Sequence, residues 1–266
     1  MKIDKETSYM IGFFQTDGNL YQQKNTKYDK GKASIEISEK DIDILEKLSN
    51  IIPYYSSIRK RNRDIIMKGK NYNFNSVNLT ICNKEFRKFL NENGVPYGKK
   101  SKIIKPPHNI IREDYIRGLI DGDGSLGFIK NGNPFVTFVS ESDDVIGYLL
   151  DYISDITGNE KKTMNRNNRD GIYNVMIKNE DAMVFCDNIY YNNCLSLDRK
   201  YKISQDIKKW KRPEGEFKVT WQRRRWTDGD DDFILNHDIY ESMEKLDRTE
   251  KSIKMRLIRL ENNHKY

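Results

Sequence analysis

The sequence predicts an α+β protein made of two similar halves, followed by a small all-α domain. The segment Tyr9–Gly18 is answered by Tyr115–Gly124, with Tyr, Gly, Asp and Gly in the same order and every pair 106 residues apart. Helical periodicity and strand alternation follow each copy, whereas residues 223–266 show only helical periodicity. A repeat of this length indicates two related halves and not a solenoid of short units.

Each repeated segment has the pattern of a buried helix, because it is apolar on most of its sides. Gly12 and Gly118 stand in mid-helix, where glycine costs about 1 kcal/mol relative to alanine. Close approach of a second backbone would offset that cost, so we expect the two helices to pack against each other through these glycines. Thr7 or Ser8 is the expected N-cap of the first helix.

Both predicted helices end in Asp-Gly, with Gly18 and Gly124 as left-handed stops. Asp17 and Asp123 would then lie side by side at two helix C-termini, where the dipole is already negative. A divalent cation relieves that repulsion, and oxygen ligands suit Mg²⁺ (or Mn²⁺). The sequence therefore predicts a metal site at Asp17, Asp123, Gly18 and Gly124. The plainer alternative is a pair of capped core helices without chemistry.

The first half is predicted to run α-β-β-α-β-β-α. A break at Pro106-Pro107 separates it from a second half with the same order. The two halves are expected at 1–105 and 106–210, and the C-terminal domain at 223–266. Residues 211–222 are the expected linker, which continues a polar stretch that begins at residue 204. In the first half we expect strands at 19–23, 34–38, 58–64 and 76–81 and helices at 40–51 and 83–93. In the second half we expect strands at 135–140, 161–169 and 172–177 and helices at 144–153 and 181–189.

The overall composition favours a nucleic-acid-binding protein. The formal net charge is +7, and a third of the residues are charged. Cys82, Cys186 and Cys194 lack CxxC spacing, so we expect reduced thiols and no structural zinc. Three scattered histidines argue against a His-based nuclease. No long apolar run or signal-peptide pattern is present, so we expect no membrane contact.

The paired segments resemble the motif of the LAGLIDADG homing endonucleases in their single-chain, two-motif form. Ile116–Gly124 fits the nonapeptide well, whereas Met10–Gly18 has Gln15 in place of the first acid. In the family the second acid binds the metal, and both copies keep it as Asp17 and Asp123. The resemblance covers residues 1 to about 210.

This resemblance implies a monomer whose two four-stranded sheets form a DNA-binding saddle over a long, asymmetric double-stranded target. It also implies cleavage of both strands across a minor groove with short 3′ overhangs. A mobile-element role in the cytoplasm of a bacterial or phage-infected cell, or in an organelle matrix, fits such a protein. Lys100 and Lys200 match a family lysine near the attacking water, with Lys99 as the alternative to Lys100. Glu39 and Glu141 match a polar water-positioning residue.

Basic residues occur at equivalent predicted hairpins of the two halves, since Lys60–Asp64 answers Arg166–Asp170. An antiparallel sheet can lay its open face along duplex DNA, where arginines reach phosphates and guanine edges. Two shorter matches support the same alignment, namely Ile37-Ser38-Glu39 with Val139-Ser140-Glu141 and Lys100–Ile103 with Lys200–Ile203. The expected DNA-binding residues of the sheets are Arg59, Arg61, Arg63, Arg166 and Arg169.

The C-terminal residues predict three short helices at about 228–237, 239–246 and 249–262, with Thr227 and Thr249 as N-caps. The Trp226-Thr227 opening and the segment Arg248–Leu257 resemble a Myb-like or SANT-like helix-turn-helix. Its last helix would enter a major groove. A module that only packs on the nuclease or on a partner is the alternative. The expected DNA contacts of this domain are Arg224, Lys251, Lys254 and Arg256.

Together these features predict a divalent-metal-dependent endodeoxyribonuclease with a DNA-binding tail. Two other functions use the same fold and remain open at this point. One is a catalytically silent transcription regulator, and the other is an RNA maturase that assists intron splicing. A basic surface by itself does not separate DNA from RNA as the ligand.

Overall fold

The computed structural model describes residues 1–23, 30–67, 69–159, 171–213 and 226–263. Backbone contacts divide the chain into two compact units, Met1–Pro213 and Glu214–Tyr266, which are described separately. Several predictions fall outside the described residues. They are the strand at 161–169, residues 214–222 of the linker, and the side chains of Arg166, Arg169 and Arg224.

The first half of the larger unit contains one four-stranded antiparallel sheet, in the order β1-β2-β4-β3. One face of the sheet carries the core side chains and the other face is open. Strands β3 and β4 extend beyond the predicted strands at 58–64 and 76–81, because the polar residues near the turn of the hairpin continue the antiparallel pairing. The elements are α1 (Lys5–Thr16), β1 (Gly18–Gln22), β2 (Gly31–Ser38), a 3₁₀ turn (Glu39–Asp41), α2 (Ile42–Ile51), β3 (Ser56–Met67), β4 (Lys70–Ile81) and α3 (Lys84–Glu92).

The described elements of the second half follow a similar order, with one strand described between α5 and α6 and with α7 after α6. The described strands pair antiparallel as β5-β6-β7. Helix α7 was not predicted. The polar stretch that was interpreted as linker from residue 204 contains its last turns, with Ser204 and Ile207 buried. The elements are α4 (Arg112–Asp123), β5 (Gly124–Phe128), β6 (Pro134–Ser140), α5 (Asp143–Thr157), β7 (Tyr173–Lys178), α6 (Asn179–Ile189) and α7 (Asp198–Lys208).

Helices α1 and α4 pack against each other through their glycines, as predicted. A Cβ atom on Gly12 would lie 2.3 Å from the Tyr115 carbonyl oxygen, and one on Gly118 would lie 2.2 Å from the Tyr9 carbonyl oxygen. Both distances are far below van der Waals contact, so only glycine permits this approach. The helix pair is fully buried at its centre and forms the axis about which the two halves are arranged.

The predicted helix ends need correction. Helix α1 begins at Lys5, with Asp4 as N-cap in a capping box with Thr7, and not at Thr7 or Ser8. Gly18 and Gly124 are not left-handed stops, since neither has a positive φ and Gly124 has φ −86°. Each begins a strand directly after its helix. Glycine is needed at both positions because a Cβ atom would clash with a backbone carbonyl oxygen. It would lie 2.5 Å from the Phe14 oxygen at position 18 and 2.6 Å from the Ile120 oxygen at position 124.

Residues 226–263 of the C-terminal unit contain three helices, each within one residue of its predicted bounds. They are α8 (Asp228–Asn236), α9 (Ile239–Leu246) and α10 (Glu250–Asn263). Ile234, Leu246 and Ile253 form a small core against which the Trp226 ring packs. Thr227 caps α8 in a capping box with Asp230, and the Thr249 hydroxyl accepts from the Ser252 N–H at the start of α10. Both predicted N-caps are confirmed.

The three cysteines are free thiols, with Cys186 buried and Cys82 exposed. Among the described residues, every helix is too short or too polar to cross a membrane.

Candidate active site

The two predicted carboxylates come together at the paired C-termini of α1 and α4. Asp17 is the C-cap of α1, and Asp123 is the last residue of α4. Gly122 shows how close they are, because a Cβ atom there would lie 3.1 Å from Oδ2 of Asp17 and 1.9 Å from Oγ1 of Thr16. A side chain at position 122 would therefore displace the Thr16 side chain and crowd the Asp17 carboxylate. The absence of a side chain at this position lets the two acids share one space.

Neither carboxylate has a hydrogen-bond or ion-pair partner among the described residues. The pKa of Asp17 is raised to about 6, mainly by burial and next by the nearby Asp123 carboxylate, against the opposing effect of Lys100 and Lys200. Loss of hydration also raises the pKa of Asp123, although this residue is more exposed. Two unpaired, partly desolvated carboxylates on a dipole-negative helix end form a donor set that fits a divalent cation.

This electrostatic strain gives a prediction about stability. In the folded protein Asp17 takes up its proton near pH 6, whereas its ordinary pKa is 3.8. The folded state thus binds more protons between these values, and Asp17 lowers stability as the pH rises through that window. Asp17→Asn should raise the free energy of unfolding of the metal-free protein by about 1–3 kcal/mol at pH 7.5. The gain should disappear below about pH 4.

Urea titrations of both proteins at pH 7.5, 5 and 3.5, with a chelator present, measure this effect. Asp151→Asn, which removes an exposed carboxylate on α5, is the matched control and should change stability little. An Asp17→Asn protein less stable than wild type at pH 7.5 would contradict the prediction.

The first acid of the second motif, Asp121, has a structural role. It is buried and accepts three hydrogen bonds, from the hydroxyls of Tyr9 at 2.8 Å and Tyr190 at 2.7 Å and from the Leu197 N–H at 2.8 Å. At the equivalent position of the first motif, the Gln15 carbonyl accepts from the Tyr115 hydroxyl at 2.6 Å. Each motif tyrosine therefore reaches across to the other helix. The reciprocal pair locks α1 and α4 in register.

The partners of Gln15 explain why it is an amide where the family has an acid. Its Nε2 donates to two carbonyl oxygens, Gly94 at 2.9 Å and Lys105 at 2.8 Å. Asp121, by contrast, meets only donors. A carboxylate at position 15 would face two acceptors, so the glutamine is dictated by its surroundings. The departure from the family motif does not involve Asp17.

Gln15→Glu should consequently destabilise the protein by about 1–3 kcal/mol at neutral pH, the cost of leaving buried acceptors without a donor. The loss should shrink as the pH falls, because a protonated carboxyl regains one donor. Chemical denaturation at two pH values measures it, and Gln23→Glu, at an exposed position, is the control. Equal losses for both variants would show that Gln15 is not selected by its acceptors.

The two predicted lysines hold the C-termini of the motif helices. The Lys100 ammonium donates to the carbonyls of Phe14 at 2.6 Å and Thr16 at 2.7 Å. Lys200 donates to the carbonyls of Ile120 at 2.7 Å, Asp121 at 2.8 Å and Gly124 at 2.8 Å. Burial lowers the pKa of each lysine to about 8, and nearby carboxylates oppose that shift.

The lysines differ in what they can still bind. An ammonium group has three donors, so Lys200 has none left for a water molecule, whereas Lys100 has one. The Gly124 carbonyl, predicted as a metal position, is already the acceptor of one Lys200 bond. Lys99, the alternative to Lys100, is exposed and lies outside this arrangement. Sequence matching treated the two lysines as equivalent, and it could not see these acceptors.

The two predicted glutamates are not equivalent. In the sheets, Gly18 pairs with Ile35 and Gly124 pairs with Phe138, so Ile35 corresponds to Phe138. Counting on along the strands, Glu141 corresponds to Ser38 and not to Glu39. The alignment of the tripeptides Ile37-Ser38-Glu39 and Val139-Ser140-Glu141 differs by one residue from the alignment that strand pairing gives. The symmetry between Glu39 and Glu141 inferred from sequence is therefore wrong.

Their surroundings differ accordingly. Glu141 lines a cavity of about 240 Å³ beside Asp123, together with Thr16, Lys100 and Ser140. Glu39 lies elsewhere, at the start of the 3₁₀ turn, where it forms an ion pair with Lys60 at 2.6 Å. Only Glu141 shares a cavity with a motif carboxylate in the described part of the chain.

Comparisons with known proteins agree with this architecture. No family model matches the chain. A structure of the homing endonuclease I-WcaI bound to its DNA recognition sequence superposes with a TM-score of 0.54 and 17% identity, over 76% of this chain and 88% of that one. The chain has the LAGLIDADG endonuclease fold. The LAGLIDADG homing endonuclease I-GzeII in complex with its DNA target gives a TM-score of 0.48 with 13% identity, covering 78% and 89%.

One curated protein is also similar in sequence. The replication factor C small subunit of Methanocaldococcus jannaschii is 24% identical over 209 residues, which is 76% of this chain. The chain spans only 10% of the length of that protein.

In this LAGLIDADG fold the three described arginines lie on the open face of the first sheet. Arg59, Arg61 and Arg63 alternate along β3 opposite Asn78, Ser76 and Phe74, and all three are exposed. A single acid, Glu36, accepts from Arg61 at 2.9 Å and from Arg63 at 2.5 Å. The sheet thus presents a basic surface with two of its arginines held in place.

The predicted contacts of the last helix have unequal surroundings. Lys251 is exposed, and Lys254 forms a surface ion pair with Glu250 at 2.5 Å. Arg256 makes two bonds to Asp231 on α8, at 2.8 and 2.6 Å, which tie α10 to α8. Its prediction as a DNA contact stays a prediction.

Sequence reasoning missed an ion pair beside the site. Asp41 in the 3₁₀ turn of the first half accepts from Arg199 of α7 at 2.6 and 3.0 Å, next to Lys200 in the chain. The same seam includes the Asp198 N–H, which donates to Asp43 at 3.0 Å. These contacts fasten the two halves beside the motif helices. No local pattern identifies them, because the partners lie far apart in sequence.

Proposed function

We propose that this chain is a site-specific DNA endonuclease of the LAGLIDADG type that needs a divalent metal and cuts both strands of its target. One observation carries the proposal. Asp17 and Asp123 converge without any protein partner among the described residues, whereas the neighbouring Asp121 has all of its bonds satisfied. A structural carboxylate is satisfied in this way, and an unpaired convergent pair is suited to bind a cation.

Asp17 and Asp123 hold the metal, Mg²⁺ or Mn²⁺, under this proposal. A bound divalent ion supplies Lewis-acid stabilisation of phosphate oxygens and a more acidic water. Lys100 retains one donor that can orient a water or offset charge near Asp123. Lys200 keeps the end of α4 in place and so positions Asp123. Glu141 offers an acceptor for a water molecule in the same cavity.

Duplex DNA with a long asymmetric site is the proposed partner of a monomeric chain. The basic open face of the first sheet supports it, and I-WcaI was solved bound to its DNA recognition sequence. In the C-terminal unit, the proposed Myb-like module uses Lys251 and Lys254 on α10 for DNA. Arg256 fastens α10 to α8, and from there it can also reach a phosphate.

Two other functions compete with this proposal. A silent transcription regulator would bind DNA without cutting it, and an RNA maturase would prefer its intron RNA. The unpaired carboxylates favour the nuclease, because neither alternative requires them. The test uses a supercoiled plasmid library with randomised inserts, incubated with the protein and Mg²⁺ or Mn²⁺. Linear products with one shared sequence support the nuclease, whereas tight binding without a break in either metal would overturn it.

The C-terminal unit has its own prediction. A chain ending at Pro213 keeps the Arg212–Glu180 pair, with bonds of 2.8 and 2.7 Å, so the larger unit should remain folded. If α10 contacts DNA, this shortened protein should bind the selected target at least about tenfold more weakly, the loss expected when a few phosphate and base contacts disappear. Footprinting should show a shorter protected region. Unchanged affinity and footprint would assign the module to another role.

A further inference from the structure

The open faces of the two sheets carry different chemistry at corresponding positions. Since Ile35 corresponds to Phe138, the open-face positions of β2 and β6 can be matched one to one. Where β2 carries Lys32 and Glu36, β6 carries Phe135 and Val139. On the neighbouring strand, Thr80 pairs with Ser34 and Met176 pairs with Thr137, so Met176 takes the place of Thr80. Charged and hydroxyl groups in the first half become apolar groups in the second.

Apolar side chains are exposed on both open faces, because Phe74, opposite Arg63 on the first sheet, is 44% exposed. The second sheet differs in having few charged side chains beside its apolar ones. Val139 is 39% exposed and Met176 is 38% exposed, although both belong to regular strands. Among the described residues of β5, β6 and β7, Lys178 is the one charged side chain on the open face. Among the residues of the first sheet whose side chains are described, four on the open face are cations. They are Lys32, Arg59, Arg61 and Arg63.

The apolar positions also adjoin the candidate active site. Val139 lines the same cavity as Asp123 and Glu141. It is flanked by polar groups that can face DNA, since Asn174 pairs with it directly across β7. This apolar surface is small, is bordered by polar side chains and is continuous with the cavity of Asp123. It therefore suits the DNA duplex that the site would cut. These features favour DNA over a second protein as the occupant.

We propose that the two sheets read their half-sites by different chemistry. Val139 and Met176 select thymine methyl groups in the half-site beside the second sheet, and the arginines of the first sheet select guanine in the other. The inference rests on the proposed function and adds the class of target sequence. It concerns the three described strands of the second sheet.

The physical reason lies in what each base edge displays in the major groove. The thymine 5-methyl is the apolar group that this groove offers, whereas guanine presents two acceptors that match an arginine. An apolar side chain that covers a donor or acceptor of a base edge removes its water and offers no hydrogen bond in return, which costs binding free energy. Val139 and Met176 thus penalise polar edges and favour methyl groups. Glu36 and Ser76, bonded at 2.8 Å, hold Arg61 and Arg63 ready for polar edges.

The experiment begins with duplexes that the full-length protein binds and cleaves in a randomised library with Mg²⁺. In one selected duplex, thymines are replaced by deoxyuridine in one half-site at a time, which removes only the methyl groups. We expect affinity to fall about threefold to fivefold for each contacted methyl lost in one half-site. The other half-site should be insensitive.

Variants then assign the effect to side chains. Val139→Ala and Met176→Thr, the latter restoring the residue found at position 80, should make binding insensitive to deoxyuridine at their contacted positions. Arg59→Ala is the matched control, because it should weaken binding while leaving the deoxyuridine effect intact. Both residues are partly exposed, so these changes should leave the fold unaffected.

The outcomes separate this inference from the function on which it rests. Selected targets that are cut but show no deoxyuridine effect, or an effect that neither variant removes, would overturn the inference and leave the nuclease standing. A protein that cuts no duplex would overturn both. A dimer in solution that Val139→Ala dissociates would assign this face to a second copy of the chain, against the inference.

Discussion

Asp123→Asn should lower double-strand cleavage by at least about a thousandfold while target affinity stays within about threefold of wild type. Metal-based charge stabilisation is worth several kcal/mol in phosphoryl chemistry, and each 1.36 kcal/mol is a tenfold change in rate. The amide has the shape of the carboxylate but not its charge. Asp123 has no hydrogen bond to lose among the described residues, so the variant should fold normally.

The measurement is a single-turnover cleavage assay with Mg²⁺ on the selected target, together with a binding assay in the presence of a chelator. Glu113→Gln removes an acid from the first turn of the same helix, at the end away from the site, and should cut at the wild-type rate. If Asp123→Asn cuts as fast as Glu113→Gln, Asp123 is not a metal ligand. Wild-type cleavage that persists in a chelator would sink the metal requirement itself.

Gly118→Ala should destabilise the protein by about 3 kcal/mol or more, at the upper end for overpacking a buried site. The added Cβ would lie 2.2 Å from the Tyr9 carbonyl and 2.9 Å from the Phe13 nitrogen. Both are backbone atoms of α1, which cannot rotate away as a side chain can. Relief therefore requires the two helices to separate, and this also moves Asp17 away from Asp123. Cleavage should fall more than stability alone explains.

Gly147 provides the matched control for this substitution. It also lies inside a helix, α5, but a Cβ there would meet nothing within 4 Å. Gly147→Ala should therefore stabilise the protein by up to about 1 kcal/mol, the intrinsic difference between the two residues in a helix. Thermal unfolding and single-turnover cleavage measure both variants. Similar stabilities for the two alanine variants would show that α1 and α4 do not require the close approach.

Several features of the site followed from the sequence because they are local or repeated. Apolar residues at helical spacing predicted α1 and α4, and mid-helix glycines at matching positions predicted their contact. Two Asp-Gly endings in the same register predicted that Asp17 and Asp123 meet. The three C-terminal helices followed from period and N-caps alone. Each of these inferences needs only neighbouring residues or an internal copy of the same pattern.

Other features depended on partners that are distant in the chain. The sequence shows Gln15 in place of an acid but cannot give the reason, which is that Gln15 faces two carbonyls whereas Asp121 faces three donors. Lys100 and Lys200 looked alike, but the number of carbonyls around each differs. The mispairing of Glu39 with Glu141 arose because similar tripeptides differ by one residue from the register that backbone hydrogen bonds impose.

The sequence by itself determined the two-fold repetition, most of the order of helices and strands (α7 was missed), and the pair of acids at the helix ends, because short-range periodicity and composition encode them. The tertiary structure alone decided which polar groups are satisfied and which are left unpaired. That distinction depends on burial and on atoms brought from distant parts of the chain, such as the Tyr190 hydroxyl on Asp121 and the Ile120 carbonyl on Lys200. It also separates Asp121, which holds the fold, from Asp17 and Asp123, which have no partner among the described residues and are the proposed metal ligands.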